Sequence, residues 1–344
     1  MTHSLPKRRL PAEWEPQSAV QLTFPHRDTD WVGVLEEVLP CFIAIANAIR
    51  RFQPVLIVCH DVAATRALFT NGLENLVFVE AASNDTWARD HGAIAIEEND
   101  QPVLLDFVFN GWGLKFPADK DNLISRHLYN KGVFHAALRH GGMVLEGGAL
   151  ESDGKGTLLT TAECLLSPNR NPHWSKQEVE AELKKLFGLE RVLWLHHGYL
   201  AGDDTDSHID TLARFCSPDT IAYVQCPDLK DEHYDALKKM ETELKAFRTA
   251  DGQAYRLIAL PWPDACYDAD GQRLPATYAN FLLINGAVLV PTYEVLQDAA
   301  ALAVFRELFP RHEIIGINCR PLILQHGSLH CVTMQYPVGV VKIK

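Results

Sequence analysis

The chain has 344 residues, 47% of them hydrophobic and 22% charged, which is enough apolar material for a sizeable core. Its formal net charge of −12 excludes the basic footprint of a nonspecific nucleic-acid binder and suits a small cationic partner. No apolar run approaches the roughly 20 residues of a membrane helix, and none follows the basic opening Met1-Thr-His-Ser-Leu-Pro-Lys-Arg-Arg9, so neither a membrane partner nor a secretory signal is expected.

Taken in chain order, helical spacing covers residues 32–51, with Asp28 and Asp30 just ahead of it. Short β-branched runs follow at 55–59, 76–79 and 103–108, and a weaker helical pattern lies near 122–138. Residues 176–187 make a well-marked helix: Ser175 can cap it, Glu178 sits three residues on, and Gly188 ends it. Strands are predicted at 191–195, 221–224, 281–284 and 288–291, and helices at 231–247 and 298–309. Five helices with strands between each pair suggest a repeated ββαβ unit, with an ordinary doubly wound α/β sheet as the competing arrangement. No Pro/Gly/Ser-rich linker interrupts the chain, so residues 1–344 read as a single domain. The eight cysteines are scattered with no Cys-x-x-Cys pair, so they suggest reduced cytoplasmic thiols rather than a zinc or redox motif. Homo-oligomerisation stays open.

Four stretches carry chemistry. In Asn84-Asp-Thr-Trp87-Ala-Arg89-Asp90, an extended chain puts Trp87 and Arg89 on one face, an indole that can pack on a cation beside a carboxylate that can accept a guanidinium. An Arg–Asp pair capping a strand accounts for it as well. Glu146 ends an apolar run and precedes Gly147 and Gly148, which places a half-buried carboxylate in need of a partner at a turn. In Gly202-Asp-Asp204-Thr-Asp206-Ser-His208-Ile-Asp210, an extended chain points His208 and Asp210 the same way. A calcium loop fails there, because counting from Asp203 the sixth position is His208 and the twelfth is Arg214. A zinc site on His208 and Asp210 lacks a third ligand. Finally, Cys331 follows His330 in a β-like run, 329–334, where a thiolate nucleophile and a small core residue are both reasonable.

No segment decides the matter alone. Together they supply a thiol, an imidazole and carboxylates from separate stretches, a set that fits a planar, forked cation.

Trp87-x-Arg-Asp90, Phe109-Asn-Gly-Trp-Gly113, Leu145-Glu-Gly-Gly148, Asn169-Arg-Asn-Pro172, Gly202-Asp-Asp-Thr-Asp206 with His208-Ile-Asp210, Tyr278-Ala-Asn-Phe281 and His330-Cys-Val-Thr333 run in this order across nearly the whole chain. In these motifs the sequence resembles the bacterial agmatine deiminases of the guanidine-modifying superfamily, which also holds arginine and peptidylarginine deiminases. It departs from their usual pattern at His326-Gly-Ser-Leu and at His91-Gly-Ala93. The resemblance implies a five-bladed α/β-propeller of ββαβ modules, the pentein fold. It also implies a hydrolase that needs no metal or organic cofactor, and the lack of a secretory signal makes a cytoplasmic location the expectation. Cys331 would attack the guanidine carbon, His208 would serve as acid and base, and Glu146 would orient His208 and keep it protonated. Asp90 and Asp210 would clamp the guanidinium beside Trp87, and Asp204 would bind a distal amine. Arginine or peptidylarginine are the alternative substrates, with Arg170 the one motif residue that could meet a carboxylate. A noncatalytic polyamine-binding protein and a metal-dependent amidohydrolase are the readings from other classes.

Overall fold

Runs such as Val55–Cys59 and Thr220–Val224 are buried at every position, so neither of their faces meets water. Strands of that kind need cover on both sides, which helices supply. The computed structural model describes residues 6–341, so the first five residues of the basic opening lie outside it.

Among the described residues one plan recurs: two antiparallel strands, then a helix, then a third strand parallel to the second. Ile94–Glu98 and Gln101–Val108 are antiparallel, and after the helix Ile124–Asn130 the strand Ala137–Val144 returns parallel. Glu151–Ser152, Thr157–Thr161 and Arg191–Leu195 repeat it around the helix Lys176–Phe187. Ala213–Ser217, Thr220–Val224 and Arg256–Leu260 repeat it around Tyr234–Ala246. Leu282–Ile284, Ala287–Thr292 and Glu313–Asn318 do so around Asp298–Leu308. A fifth sheet draws on both ends of the chain. Thr333–Pro337 lies antiparallel to Gln17–Thr23, and Val55–Cys59 and Leu76–Glu80 continue in parallel beyond the helix Leu35–Ile49. The result is an α/β fold of several small sheets, with a two-stranded ribbon, Cys266–Tyr267 with Arg273–Leu274, beside them.

Local chemistry explains the boundaries. Ser175 and Glu178 form a reciprocal capping box, and Gly188 closes that helix at φ 67°. The pattern over 122–138 overruns its helix, which stops at Asn130; Gly132 takes φ 72°, and Ala137–Val144 is a strand. The 3-10 turn Asp30–Val34 runs into the helix Leu35–Ile49, and together they are long and apolar enough by length and composition to cross a membrane, which corrects the reading that no run approaches that length. Residues Val38, Phe42, Ile45 and Ile49 are fully buried in a core cluster with Phe24 and Phe281, so core packing accounts for that apolar face.

Not all that is buried is apolar. Arg89, Asp90, Glu146, His208, Asp210, Arg214 and His330 are each at most 4% exposed. A buried charge is costly unless it is paired and hydrogen-bonded. Such a concentration of ionisable groups marks where the fold is spent on something other than packing.

Candidate active site

The site residues sit on turns between the sheets. Residues Ala88–His91 form one helical turn rather than extended chain, so Trp87 and Arg89 do not share a strand face as the sequence suggested. The turn sends its side chains apart. Asp90 accepts from the Trp112 indole N–H at 2.9 Å and from the Gly148 N–H at 3.0 Å. Arg89 turns instead toward Glu13, at 3.8 Å. Trp87 lines the adjacent cavity, its indole N–H donating to Asp85 at 2.8 Å. Asp85 also accepts from Trp31, at 2.8 Å, so one carboxylate fixes two indoles. A Cβ at Gly327 would fall 2.1 Å from the Trp87 ring, so only glycine lets the loop before Cys331 lie against it.

Cys331 precedes its strand rather than lying in it: pairing begins at Thr333, and residues 329–332 are turn. The reason is Asn280, whose Oδ1 accepts the backbone N–H of His330 at 2.8 Å and of Cys331 at 3.3 Å and thereby diverts both from a ladder. The thiol lies 3.4 Å from that oxygen and 3.9 Å from Asp210 Oδ2. Burial pushes the thiol well above its usual range, and the Asp210 and Asp90 carboxylates push it further.

His208 caps a short turn, Ile209–Thr211, so the extended His-x-Asp arrangement is replaced by one in which Asp210 faces His330 at 2.7 Å. His208 Nδ1 is 3.6 Å from Asp90, and Nε2 is 4.0 Å from Glu146. Neither nitrogen makes a hydrogen bond among the described residues. Burial lowers the ring's pKa to about 3, so it is neutral here rather than held protonated. A Cβ at Gly148 would meet His208 Nδ1 at 2.4 Å and Asp90 at 2.9 Å, which explains why this turn carries glycine. Glu146 makes no hydrogen bond to His208. Both of its oxygens accept from Arg170 Nε, at 3.0 and 2.9 Å, and Arg170 continues to Asp206 and the Thr205 carbonyl. Arg170 is thus a loop brace.

The carboxylates form a conspicuous set. Burial raises Asp90 well above the ordinary carboxylate range, with Asp210 and Glu146 adding repulsion. Burial would raise Asp210 too, but the hydrogen bond and charge of His330 outweigh it and hold it low. Like charges gathered without water favour a bound cation. Glu146, Cys164 and His208 could also serve as donors to a metal ion, their ligand atoms lying within 4.8 Å of one another. The Arg170 guanidinium against Glu146 opposes a second cation at that point.

Above Cys331 lies a cavity of about 440 Å³. Trp87, Trp112 and Phe116 supply flat apolar walls, and Asp30, Asp85, Asp90 and Asp204 supply carboxylates. Asp204 stands in the wall with its side chain 42% exposed, 3.9 Å from His326. No arginine or lysine is among its described lining residues. A larger cavity, about 680 Å³, contains none of the thiol chemistry and borders Glu13, Arg89 and Glu151.

The structure therefore brings Cys331, His208, Asp210, Asp90, Glu146 and Trp87 into one neighbourhood, with Asp204 further out. Sequence reading missed Glu13, Asp85 and Asn280 as organisers of the site. Asn280 stood in the Tyr278-Ala-Asn-Phe281 stretch and Asp85 in the Asn84-Asp-Thr-Trp87 stretch, without a role assigned to either, whereas Glu13 showed no local signal.

The family model of the Porphyromonas-type peptidyl-arginine deiminases matches residues 9–337. The agmatine deiminase of Pseudomonas aeruginosa (strain LESB58) is 34% identical, the match covering 96% of this chain and 95% of that protein. Among solved structures, a cysteine-to-serine variant of the C. jejuni agmatine deiminase with substrate bound superposes with a TM-score of 0.92, at 38% identity over 98% of each chain. A Porphyromonas gingivalis protein described provisionally as an arginine deiminase gives 0.94 at 55% identity, over 98% of this chain and all of that one. On the full-length family match, this chain belongs to the Porphyromonas-type peptidyl-arginine deiminase family.

Proposed function

We propose that this protein is an agmatine deiminase, hydrolysing agmatine to N-carbamoylputrescine and ammonia. One observation carries the choice of substrate: the cavity above Cys331 offers four carboxylates and aromatic walls but no arginine or lysine among its described lining residues. Agmatine is a guanidinium at one end, an alkyl chain between, and an amine at the other. A free arginine carboxylate would meet Asp30, Asp85 and Asp204 with no arginine or lysine among the described lining residues to answer it, since Arg170 is spent on Glu146 and Asp206. The agmatine deiminases among the relatives support the same reading.

The chemistry follows from protonation. Burial disfavours both the Cys331 thiolate and the protonated His208 ring. A guanidinium held by Asp90 and Asp210 beside Trp87 cancels the repulsion that keeps the thiol protonated. The Cys331 proton passes to His208 and the thiolate adds to the guanidine carbon. His208 returns that proton to one nitrogen, which leaves as ammonia, and an amidino-thioether remains on Cys331. Water then gives a proton to His208 and its oxygen to the carbon, and Cys331 departs with the ureido product free. Glu146, anchored by Arg170, lies close enough to stabilise the His208 cation while it exists. Asp204 takes the distal amine at the mouth.

The five repeated ββαβ units support a five-bladed propeller ring around this centre, with residues 1–344 acting as one catalytic domain. Eight free thiols support a reducing cytoplasm as its location. The test is a ureido-product assay on agmatine, arginine and an arginine peptide. Agmatine should be turned over fastest. Faster release from the peptide would reassign the substrate, and no ureido product from any of them would end the hydrolase reading.

A further inference from the structure

His330 precedes the nucleophile in the chain, yet its side chain serves another part of the site. Its ring is 1% exposed, and both nitrogens are engaged at the same short distance: Nδ1 to Asp210 Oδ2 at 2.7 Å and Nε2 to Glu13 Oε2 at 2.7 Å. Asp210 in turn has one oxygen on His330, while its Oδ1 is buried and accepts no hydrogen bond among the described residues. Glu13 is itself pinned, accepting from Arg214 at 2.8 Å and from the Leu283 N–H at 2.8 Å. It comes from the stretch preceding the strand Gln17–Thr23, outside all of the motifs that mark the site.

We infer that His330 is a positioning residue that locks the Asp210 carboxylate with Oδ1 turned to the substrate guanidinium, and that Glu13 braces the ring from behind. The inference rests on the guanidinium-clamping role proposed for Asp210. A carboxylate on a freely rotating Cβ–Cγ bond would swing between Cys331, His208 and the ligand. A buried hydrogen bond to one oxygen leaves a single orientation, and orientation of reacting groups is among the larger contributions to catalysis.

The charged groups around the pair are few. Burial lowers the His330 pKa, Arg214 and Arg89 push it the same way, and Glu13 and Asp210 only partly offset this; Glu151 completes the surroundings, its carboxylate within 4.8 Å of Glu13 and the ring. Asp210 faces His330, His208 and Arg214, with Cys331 beside it. Asp90 also faces Asp210, whose charge adds to the burial that raises Asp90. Burial favours a protonated Asp210; the His330 hydrogen bond and charge reverse this. With that bond removed, Asp210 takes up a proton at higher pH, so activity should begin to fall at higher pH on the acid side.

Two substitutions separate the ring's contacts. His330→Asn leaves an N–H near the position of Nδ1 and keeps the bond to Asp210 while losing Glu13. His330→Gln extends its amide toward Glu13 and loses Asp210. On agmatine, His330→Gln should lower kcat/KM about 100-fold with KM raised as well as kcat reduced, and shift the acid limb upward by about one pH unit. His330→Asn should recover most of this, to within about 10-fold of the parent. A purely structural role would bring both variants down together by loss of active protein, with KM unchanged; that result overturns the inference, as does unaltered behaviour of both. Should either variant fail to fold, Glu13→Gln supplies the reading: a smaller KM rise and a limb shift in the same direction support positioning, and no change in either refutes it. Asp210→Asn tests the underlying role separately, because full activity there removes the clamp itself, whatever His330 does.

Discussion

The floor and the mouth of the cavity are built on opposite terms. At the floor, Cys331, His208, Asp210, Asp90 and Glu146 are at most 4% exposed, and their polar atoms face protein rather than water. At the mouth, Asp204 is 42% exposed in its side chain and its ion-pair partner, His326, stands 3.9 Å away. Electrostatic interactions are strong where water is excluded and weak where it is not. Reaction class should therefore depend on the floor almost entirely, and substrate preference should be shaped at the mouth in small steps.

Three substitutions probe that contrast, in falling order of effect. Cys331→Ala should cost at least about 10⁴-fold in turnover, with a melting temperature within about 4 °C of the parent. A ureido-product assay beside a thermal melt checks both; near-full activity would mean the sulfur at the floor is not the nucleophile. Gly148→Ala drives a methyl group into the space between His208 and Asp90. Its kcat/KM should fall about 100-fold, because an ångström of misplacement at a reacting group has that scale. Steady-state kinetics showing less than a twofold change would mean the floor tolerates movement. Asp204→Asn should raise the KM for agmatine about fivefold or less, the scale of an exposed ion pair, and leave kcat alone. A loss of kcat there would blur the division between the two regions.

Much of this was readable in the sequence where a local rule decides. The Ser175–Glu178 box and Gly188 mark both ends of their helix, and the structure places the helix at Lys176–Phe187 as read. The strands Val55–Cys59, buried throughout, and Arg191–Leu195, buried at Trp194 and Leu195, carry their own apolar signal. The failures are where a distant partner overrides the local preference. Residues 329–332 look like strand, yet Asn280 captures the N–H groups of His330 and Cys331. His208 and Asp210 alternate as in a strand, yet Asp210 is drawn to His330. The helical pattern beyond Asn130 ended because Gly132 adopts a left-handed conformation, which a count of apolar residues does not see. The candidate residues were legible because each of their motifs is contiguous. Glu13 was not, since its partners His330 and Arg214 are hundreds of positions away and nothing beside it in the chain hints at them.

The sheet that unites the two ends of the chain bears on synthesis. Thr333 pairs with Leu22, and Cys331 lies two residues before that strand. A ribosome finishes the carboxylates and the imidazole long before it finishes the sulfur, and long-range strand pairing is a slow step in folding. The reactive thiol reaches its seat only when the last strand docks beside one of the first. With Cys331 as the nucleophile proposed above, nascent chains that lack Thr333–Pro337 should be inactive, and reactivity should appear only as this strand pairs with Gln17–Thr23.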